Sequence, residues 1–464
     1  MAKYFKCVLN KPALSYCCGE IIRFEVFARE NCNNISCGNI SWELKTDDGK
    51  ELNGFGVCEA NKPIVIETIL ERPGFVHLIC KAVNKDGGVD TNYAVLDASA
   101  GAEVEKIGYH DTLPEDFYKY WKDIEDLIEN TPIEVLKYEE LPAQKGFKAY
   151  DVRIKTPEGR PASFVLTVPE KEGKLPLRVG FIGYGLRSAC PIYNENFIVA
   201  YVNAHGFENN VSEQELIEKY KSEIGEDYGF SDEQNKSNMT AYWRGMAIRN
   251  LMGVKFLKKF EKWDKENLVI TGGSQGALQA TTVAAHTKGV TFLEIGIPWF
   301  CDLRGIEQGY MRGWRPNFAE GLRYFDTVAQ GMLVKCPVKI TAGLGDYVCP
   351  PSGVMALYNN IKTLKSIDFG QGETHGTYPP EKEIYSLTHN PENPTGELKK
   401  GRYRHFKGNE YEVLGVAFNC ETLEETVVYK ALYGEGKLWI RPKTDFCGFI
   451  YRDNKIIKRF EYIG

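Results

Sequence analysis

The sequence lacks any apolar stretch long enough to cross a membrane, and its first residues lack the apolar core of a secretion signal. A membrane-spanning helix needs about 20 apolar residues, and a signal peptide has an apolar core of about 7 to 15. These absences predict a cytoplasmic protein. The sequence also has no excess of basic residues, and its formal net charge is −6. This charge argues against nucleic acid or an anionic membrane as a partner.

Patterns for metal binding and for disulfide bonds are also absent. The 13 Cys are scattered, without a C-x-x-C pair and without His neighbours at the spacing of zinc sites. An odd number of Cys in so long a chain is typical of reduced, mostly buried thiols. The sequence therefore predicts neither a metal site nor a disulfide framework.

The most informative segment that is present follows a short apolar run at residues 267–271. Residues 272–276 read Gly-Gly-Ser-Gln-Gly, and a small-residue segment with helical character comes next. The pattern G-x-S-x-G between a strand and a helix is typical of a nucleophile elbow, in which Ser274 takes a strained backbone conformation. An ordinary glycine-rich turn fits the motif alone equally well, so the rest of the chain decides.

An acid and a histidine follow Ser274 in the order that such a fold requires. Asp346 comes after a predicted strand at residues 338–342, and His375 lies on a loop after a third short strand. A lone His in this position would more often be a plain loop residue. His375 is the predicted base, because it is the first His that follows both the elbow and the acid. Asp302 and Asp368 are the alternative acids, and both rank below Asp346.

The second half of an oxyanion hole is expected upstream of the elbow. A predicted strand at residues 177–182 ends in Gly-Tyr-Gly at 183–185. Glycines let backbone N–H groups approach a substrate closely. We predict that the backbone N–H groups of Tyr184 and Gln275 together form the oxyanion hole. Without the elbow, a simple turn at the end of a strand would be the better interpretation of residues 183–185.

Three further residues are candidates for binding substrate. His205 follows a predicted strand at residues 197–203, although a structural loop His fits that position equally well. Trp299 lies at the end of a later strand, where it could form an apolar wall beside Ser274. Trp314, in the insertion that follows, is a candidate for the rim of the pocket.

The 464 residues are too many for one small core, and we expect three domains. Residues 1–100 alternate apolar and polar positions between turn signals, which favours an immunoglobulin-like β-sandwich acting as an accessory module. Residues 101–385 alternate strands and helices, which predicts a mostly parallel sheet with helices on both faces. A linker rich in Pro and Asn at 388–396 precedes a small β-rich domain at 398–464, which is expected to pack on the rest or to self-associate.

The segment from about 103 to 380 resembles the acetyl xylan esterase and cephalosporin C deacetylase family of α/β-hydrolases (carbohydrate esterase family 7). The motifs that carry the resemblance are Gly183-Tyr184-Gly185, Tyr242-Trp243-Arg244-Gly245, Gly272-Gly273-Ser274-Gln275-Gly276, Gly343-Leu344-Gly345-Asp346, Cys349-Pro350-Pro351 and His375. By matching position, the resemblance implies that Ser274 is the nucleophile, Asp346 the acid and His375 the base. The residues from about 401 to 463 resemble a small bacterial domain family of unknown function (DUF1653).

Two positions depart from the usual pattern of this family. The family usually has Gly-Gly where this chain has Gly276-Ala277, and His-Glu where it has His375-Gly376. These departures affect the expected substrate preference, not the chemistry. The family often forms rings that enclose the active sites. Whether this chain forms a homo-oligomer of that kind is left open, because its two additional terminal domains could prevent the ring from closing.

The sequence thus predicts a serine carboxylesterase that removes acetyl groups from acetylated xylo-oligosaccharides or similar small acetate esters. Such chemistry requires no metal or organic cofactor. One alternative is a broad esterase or a peptidase-like hydrolase on the same fold, since the fold does not fix the leaving group. Another is a binding protein with a relic centre, against which the intact Ser274, Asp346 and His375 argue.

Overall fold

Three hydrophobic cores organise the computed structural model, and the central one is the largest. The structure describes residues 3–209, 211–225, 228–389, 391, 398–420, 425–452 and 455–464. Most of the predicted linker at 388–396 therefore lies outside the described residues. Within the described residues, no helix has the length and apolar character that crossing a membrane requires. All thirteen cysteines are free thiols.

The amino-terminal part contains two antiparallel sheets. Its strands are β1 (Tyr4–Leu9), β2 (Ile22–Glu30), β3 (Asn33–Ile35), β4 (Cys37–Thr46), β5 (Glu51–Cys58), β6 (Ile64–Thr68), β7 (Gly74–Ala82) and β8 (Leu96–Ala102). In one sheet β2 pairs with β1, β3 and β6, and in the other the order is β5-β4-β7-β8. Alternate residues of β2 are buried, and they share a core with Leu44 and Leu78 of the second sheet. The β-rich character of this part is confirmed, and the immunoglobulin-like assignment stays a prediction.

A ten-stranded sheet forms the centre of the molecule. Its strands are β9 (Val135–Leu141), β10 (Phe147–Ile154), β11 (Ala162–Pro169), β12 (Leu175–Phe181), β13 (Ile198–Asn203), β14 (Trp263–Gly273), β15 (Phe292–Gly296), β16 (Val338–Gly343), β17 (Lys365–Gly370) and β18 (Ile384–His389). The order is β18-β17-β16-β15-β14-β12-β13-β11-β10-β9. Strands β13, β12, β14, β15, β16 and β17 run parallel, and antiparallel strands extend both edges. The sheet continues to residue 389, four residues beyond the expected boundary at 385.

The helices of the central domain follow the strands in alternation. They are α1 (Phe117–Asn130), α2 (Glu213–Glu223), α3 (Asp232–Asn235), α4 (Tyr242–Leu257), α5 (Gln275–His286), α6 (Thr327–Gly331) and α7 (Pro351–Asn360), with short 3-10 helices at Val104–Lys106, Leu303–Gln308 and Glu320–Phe325. Helix α5 packs against β12, β14 and β15, and α4 packs against β11. Most residues of α4 and α5 are buried, as expected for helices that cover a sheet. This alternation confirms the predicted α/β-hydrolase architecture.

The carboxyl-terminal part is a small β unit with its own core. Its elements are β19 (Gly401–His405), β20 (Glu410–Phe418), β21 (Glu425–Ala431), β22 (Leu438–Pro442), α8 (Lys443–Phe446), β23 (Phe449–Arg452), β24 (Lys455–Lys458) and β25 (Phe460–Tyr462). Five of the strands form an antiparallel sheet in the order β22-β21-β20-β19-β25, while β23 and β24 form a hairpin. The core is mostly aromatic, and it includes Tyr403, Tyr429 and Phe446.

The parallel strands direct four segments to one edge of the central sheet. The carboxyl ends of parallel strands meet at the same edge, where open α/β sheets bind their ligands. Strand β12 ends just before residues 183–185, β14 just before Ser274, and β16 shortly before Asp346. The loop after β17 carries His375. The predicted site residues therefore come from neighbouring strands.

Candidate active site

Ser274 occupies a sharp turn between β14 and α5. Its backbone angles are φ 55° and ψ −125°, a region that side-chain-bearing residues rarely adopt. A Cβ at Gly272 would lie 2.1 Å from the backbone oxygen of Gly276, and one at Gly276 would lie 2.3 Å from the backbone oxygen of Phe181. Both positions therefore require glycine. The strained elbow predicted from the motif is confirmed.

Ser274, His375 and Asp346 form a continuous chain of hydrogen bonds. Nε2 of His375 lies 3.0 Å from Oγ of Ser274. Nδ1 of the same ring lies 2.9 Å from Oδ2 of Asp346. Because a carboxylate only accepts hydrogen bonds, the proton resides on Nδ1, and Nε2 is left to accept from the serine hydroxyl. Residues that lie 72 and 29 positions apart in the sequence thus meet at one point.

The surroundings of Asp346 hold its carboxylate in place. The side chain is 1% exposed. Its Oδ1 atom accepts the backbone N–H groups of Val348 and Cys349, both at 3.0 Å. These bonds fix the orientation of the carboxylate toward the imidazole. Asp346 can therefore stabilise a positive charge on His375.

The two alternative acids are engaged elsewhere. Asp302 accepts from the backbone N–H of His110 and pairs with the His110 ring at 2.6 Å. Asp368 accepts the hydroxyl of Ser386 at 2.6 Å and lies 3.4 Å from Lys339. Neither carboxylate pairs with His375, so the geometry favours Asp346.

The segment 183–185 lies directly beside the elbow. Strands β12 and β14 are paired in parallel, with Phe181 opposite Gly272. A Cβ at Gly183 would lie 4.0 Å from Cβ of Ser274 and 3.4 Å from the backbone oxygen of Gly273. Tyr184 follows at this position, and Gln275 opens α5 next to Ser274. The two residues predicted to supply oxyanion N–H groups therefore both lie next to the serine or one residue away from a neighbour of it.

A tyrosine that the sequence did not single out connects these two segments. The hydroxyl of Tyr228 accepts the backbone N–H of Gly185 at 3.0 Å. It also accepts a hydrogen bond from Nε2 of Gln275 at 3.1 Å. The Tyr228 ring stacks on the Tyr184 ring with centroids 4.4 Å apart. Tyr228 lies in the long polar segment after β13, and the only signal in the sequence was that this segment carries two aromatic residues close together, Tyr228 and Phe230.

His205 is buried and bonded to the segment 183–185. It does not contact substrate as predicted. The side chain is 2% exposed. Its Nε2 donates to the backbone oxygen of Gly185 at 3.1 Å, so Nδ1 accepts from the hydroxyl of Tyr242 at 2.8 Å. Burial lowers the pKa of His205 to about 3, although its bond to Gly185 acts in the opposite direction. With both nitrogens engaged, a neutral His205 has no atom left for a ligand.

The two predicted tryptophans occupy different environments. Trp299 is 1% exposed, so it forms part of the core under the site and not an open wall, which corrects its predicted contact with substrate. Its indole N–H donates to the backbone oxygen of Trp314 at 2.5 Å. Trp314 is 41% exposed and lies edge-to-face on Tyr184, with ring centroids 4.5 Å apart. Trp314 therefore remains the candidate for the rim.

One group of side chains has the composition of a metal site. Ligand atoms of Asp346, Cys349 and His375 all lie within 4.8 Å of one another, and no other such group of three occurs in the described part of the chain. Burial raises the pKa of the Cys349 thiol well above its ordinary value, which disfavours the thiolate that a metal needs. Both nitrogens of His375 are already engaged by Ser274 and Asp346. The arrangement thus favours the hydrogen-bonded chain over coordination.

Taken together, these groups suit nucleophilic acyl transfer. A serine hydroxyl paired with a neutral imidazole can be deprotonated as it attacks a carbonyl. Tyr184 and Gln275, whose N–H groups are predicted to stabilise the negative charge that then develops on oxygen, lie close to this serine in the chain fold.

Comparison with known proteins identifies two families that match separate parts of the chain. The sequence profile of the family described as acetyl xylan esterase (AXE1) matches residues 101–311 and 312–389. The profile described as protein of unknown function (DUF1653) matches residues 401–462. The acetyl esterase Axe7A of Xylanibacter ruminicola is 24% identical over 348 residues, which cover 70% of this chain and 76% of that protein.

Solved structures with a similar course of chain include two acetyl xylan esterases. The enzyme from Thermoanaerobacterium sp. is 20% identical with a TM-score of 0.49, and the one from Paenibacillus sp. R4 is 18% identical with a TM-score of 0.48. Each alignment covers 60% of this chain and 94% of the other. A DUF1653 protein from Bordetella bronchiseptica is 33% identical over 14% of this chain and 88% of its own, with a TM-score of 0.14.

The family match extends over residues 101–389 and so covers more than half of the 464 residues. It begins where the amino-terminal sheets end, and it ends at the last strand of the central sheet. The chain therefore belongs to the acetyl xylan esterase family (AXE1), a family of carboxylic ester hydrolases, and carries a DUF1653 domain at its carboxyl end.

Proposed function

We propose that this protein is a serine esterase that removes O-acetyl groups from acetylated xylo-oligosaccharides or similar small acetate esters. The observation that carries the proposal is the chain of hydrogen bonds from Ser274 through His375 to Asp346. Such a chain activates a hydroxyl that is otherwise a weak nucleophile. The family assignment supports an ester as the substrate, and the name of the Xylanibacter relative supports acetate as the acyl group.

The first half of the reaction forms an acetyl-enzyme. Nε2 of His375 takes the hydroxyl proton as Oγ of Ser274 attacks the acetyl carbonyl. The N–H groups of Tyr184 and Gln275 stabilise the oxyanion of the tetrahedral intermediate. When that intermediate collapses, the ester bond breaks, and His375 returns the proton to the departing alcohol.

The second half of the reaction releases acetate. A water molecule takes the place of the alcohol and gives a proton to Nε2 of His375 as it attacks the acetyl carbonyl. Collapse of the second intermediate frees acetate, and the proton returns to Oγ of Ser274. Throughout, Asp346 holds the imidazole in the tautomer that can accept this proton.

We also propose a division into three units. Residues 1–100 form an immunoglobulin-like accessory module, 101–385 the catalytic domain, and 398–464 a separate small domain. The separate hydrophobic cores support this division. Two residues from the first 100, Ala13 and Phe75, belong to the central core, so the accessory module packs against the catalytic domain.

Covalent labelling tests the proposed nucleophile. A fluorophosphonate probe should modify one serine, identified by peptide mass spectrometry as Ser274, and Ser274→Ala should abolish the label. Acetylated xylo-oligosaccharide should slow the labelling in proportion to its concentration. Labelling at a different serine would contradict the mechanism, and labelling that the sugar does not slow would contradict the proposed substrate.

A further inference from the structure

Strand β8 of the amino-terminal module contacts the loop that leads to His375. The backbone N–H of Ser99, in β8, donates to Oε1 of Gln371 at 3.0 Å. Nε2 of Gln371 donates back to the oxygen of Ser99 at 2.8 Å. Ser99 and Gln371 are both buried. This two-point bond holds the start of the loop four residues before His375.

The same serine contacts the residue that follows Asp346. The hydroxyl of Tyr347 lies 3.2 Å from Oγ of Ser99. Oγ of Ser99 donates its one proton to the backbone oxygen of Val76 at 2.7 Å, so Tyr347 must be the donor in its bond to Ser99. Ser99 therefore receives a hydrogen bond from the loop after β16 that carries Asp346 and Tyr347 (the acid loop). Its backbone binds the loop after β17 that carries Gln371 and His375 (the base loop).

Two neighbours of Ser99 complete the contact with the acid loop. The ring of His77 stacks on the ring of Tyr347, with centroids 3.6 Å apart and planes inclined by 8°. Nε2 of His77 lies 2.9 Å from Oδ1 of Asp97. A Cβ added at Gly345 would lie 2.7 Å from both the backbone oxygen and Cβ of Asp97. The acid loop is thus in direct contact with β8 on both sides of Asp346.

The two loops are also bonded to each other. The backbone N–H of Gly345 donates to the oxygen of Glu373 at 2.9 Å. Strand β8, the acid loop and the base loop therefore form one connected unit. A shift of β8 would move Asp346 and His375 relative to Ser274, which is held separately by the elbow.

We propose that the amino-terminal module is part of the catalytic apparatus, with Ser99 and Tyr347 as positioning residues that hold Asp346 and His375 in place relative to Ser274. The inference rests on the proposed serine mechanism. It assigns a catalytic role to the amino-terminal module, which lies outside the segment that matches the family. Misplacement of a reacting group by about 1 Å can cost about 100-fold in rate. A smaller displacement, from the loss of one positioning bond, should cost about 10-fold.

Tyr347→Phe is the direct test, because it keeps the stacked ring and removes only the bond to Ser99. Tyr310→Phe is the matched control. The Tyr310 hydroxyl donates to the backbone oxygen of Pro73 at 2.9 Å, so it also joins the central domain to the module, but through Pro73 and not through Ser99. We expect Tyr347→Phe to lower kcat for p-nitrophenyl acetate about 10-fold at nearly constant KM, and Tyr310→Phe to leave kcat within twofold. Melting temperatures of both variants are measured alongside.

The split between kcat and KM separates positioning from a general loss of structure. Misplaced Asp346 and His375 slow the chemical step, so kcat should fall in Tyr347→Phe while KM and the melting temperature stay close to those of wild type. An unchanged kcat in Tyr347→Phe would overturn the inference, as would an equal loss of kcat in both variants. Wild type and Ser274→Ala are assayed in parallel. Activity that survives in Ser274→Ala would instead overturn the proposed mechanism.

Discussion

Nε2 of Gln275 donates a hydrogen bond to the hydroxyl of Tyr228 at 3.1 Å, so the residue after the nucleophile is anchored by its side chain as well as by α5. The same hydroxyl accepts the N–H of Gly185, next to Tyr184. One oxygen atom thereby fixes the distance between the two proposed sources of oxyanion N–H groups.

Tyr228→Phe should therefore impair the reaction without removing any reacting group. Loss of the hydroxyl leaves the N–H of Gly185 and the amide of Gln275 without that partner, which costs about 1–3 kcal/mol for each buried group. We expect kcat to fall about 10- to 100-fold, which does not exceed the fall in kcat that removal of one oxyanion donor causes. Steady-state kinetics on p-nitrophenyl acetate measures this.

Tyr193→Phe is the control for this variant. The Tyr193 hydroxyl also accepts a backbone N–H, from Gln144 at 3.2 Å, at a position outside the site. Its kcat should match wild type. Equal losses in the two variants would show that Tyr228 has no particular relation to the reaction.

Asp346→Asn tests the choice of acid. An amide in place of the carboxylate would present N–H to Nδ1 of His375 and favour the wrong tautomer, a change that costs about 10⁴-fold in related triads. Asp368→Asn is the matched control, because Asp368 pairs with Ser386 and Lys339. It should keep kcat within a few fold. The assignment fails if Asp368→Asn loses more activity than Asp346→Asn.

His205 should make the protein less stable in acid. Burial lowers its pKa to about 3, below the ordinary value of 6.5, so the folded protein holds His205 neutral while the unfolded chain protonates it. Its contribution is fully present above about pH 6.5 and is lost as the pH falls toward 3. The slope from this one group is at most about 1.4 kcal/mol per pH unit.

Denaturant unfolding of wild type and His205→Gln between pH 4 and 7.5 measures this contribution. The other titrating groups are common to both proteins, so the difference in slope isolates His205. The free energy of unfolding of His205→Gln should depend less steeply on pH below 6.5. Parallel curves would contradict the burial of a neutral imidazole.

Trp314→Ala should affect the sugar substrate more than a small ester. The ring is partly exposed at the rim and packs on Tyr184. Losing its apolar contact with a sugar should raise KM for acetylated xylo-oligosaccharide about 10-fold, equivalent to about 1.4 kcal/mol, and change KM for p-nitrophenyl acetate by less than threefold. Trp439→Ala, at an exposed tryptophan of the carboxyl-terminal domain, is the control. A uniform change on both esters would show that Trp314 does not contact the sugar.

The parts of the site that depend on local sequence could be predicted, and the parts that depend on packing could not. The elbow is encoded within five residues, because only glycine fits at positions 272 and 276. His375 was selected as the first His after the elbow and the acid, and Asp346 was ranked above Asp302 and Asp368 as the acid in the Gly-rich turn after a predicted strand.

Burial was the property that the sequence could not supply. His205 and Trp299 lie at strand ends on the expected edge of the sheet, yet both are buried. Their position along the chain predicted the edge of the sheet at which they lie, but not the direction in which their side chains point. Tyr228 was missed because its segment is polar and without periodicity, and its role depends on contacts with two other loops.

The amino-terminal module illustrates the same limit at the level of domains. Alternation of apolar and polar residues revealed its strands. No pattern in the sequence could place Ser99 beside Tyr347 and Gln371, which lie more than 240 positions away in the chain. Contacts of this kind depend on how two folded units pack together.

Acetate release by wild type and Ser274→Ala, measured side by side on acetylated xylo-oligosaccharide and on p-nitrophenyl acetate, tests the central claim most directly. We predict that wild type releases acetate from both substrates and that Ser274→Ala loses at least about 10⁴-fold on each. Activity of wild type on the activated ester alone would contradict the sugar substrate. Substantial release by Ser274→Ala, or none by wild type on either ester, would contradict the serine esterase mechanism itself.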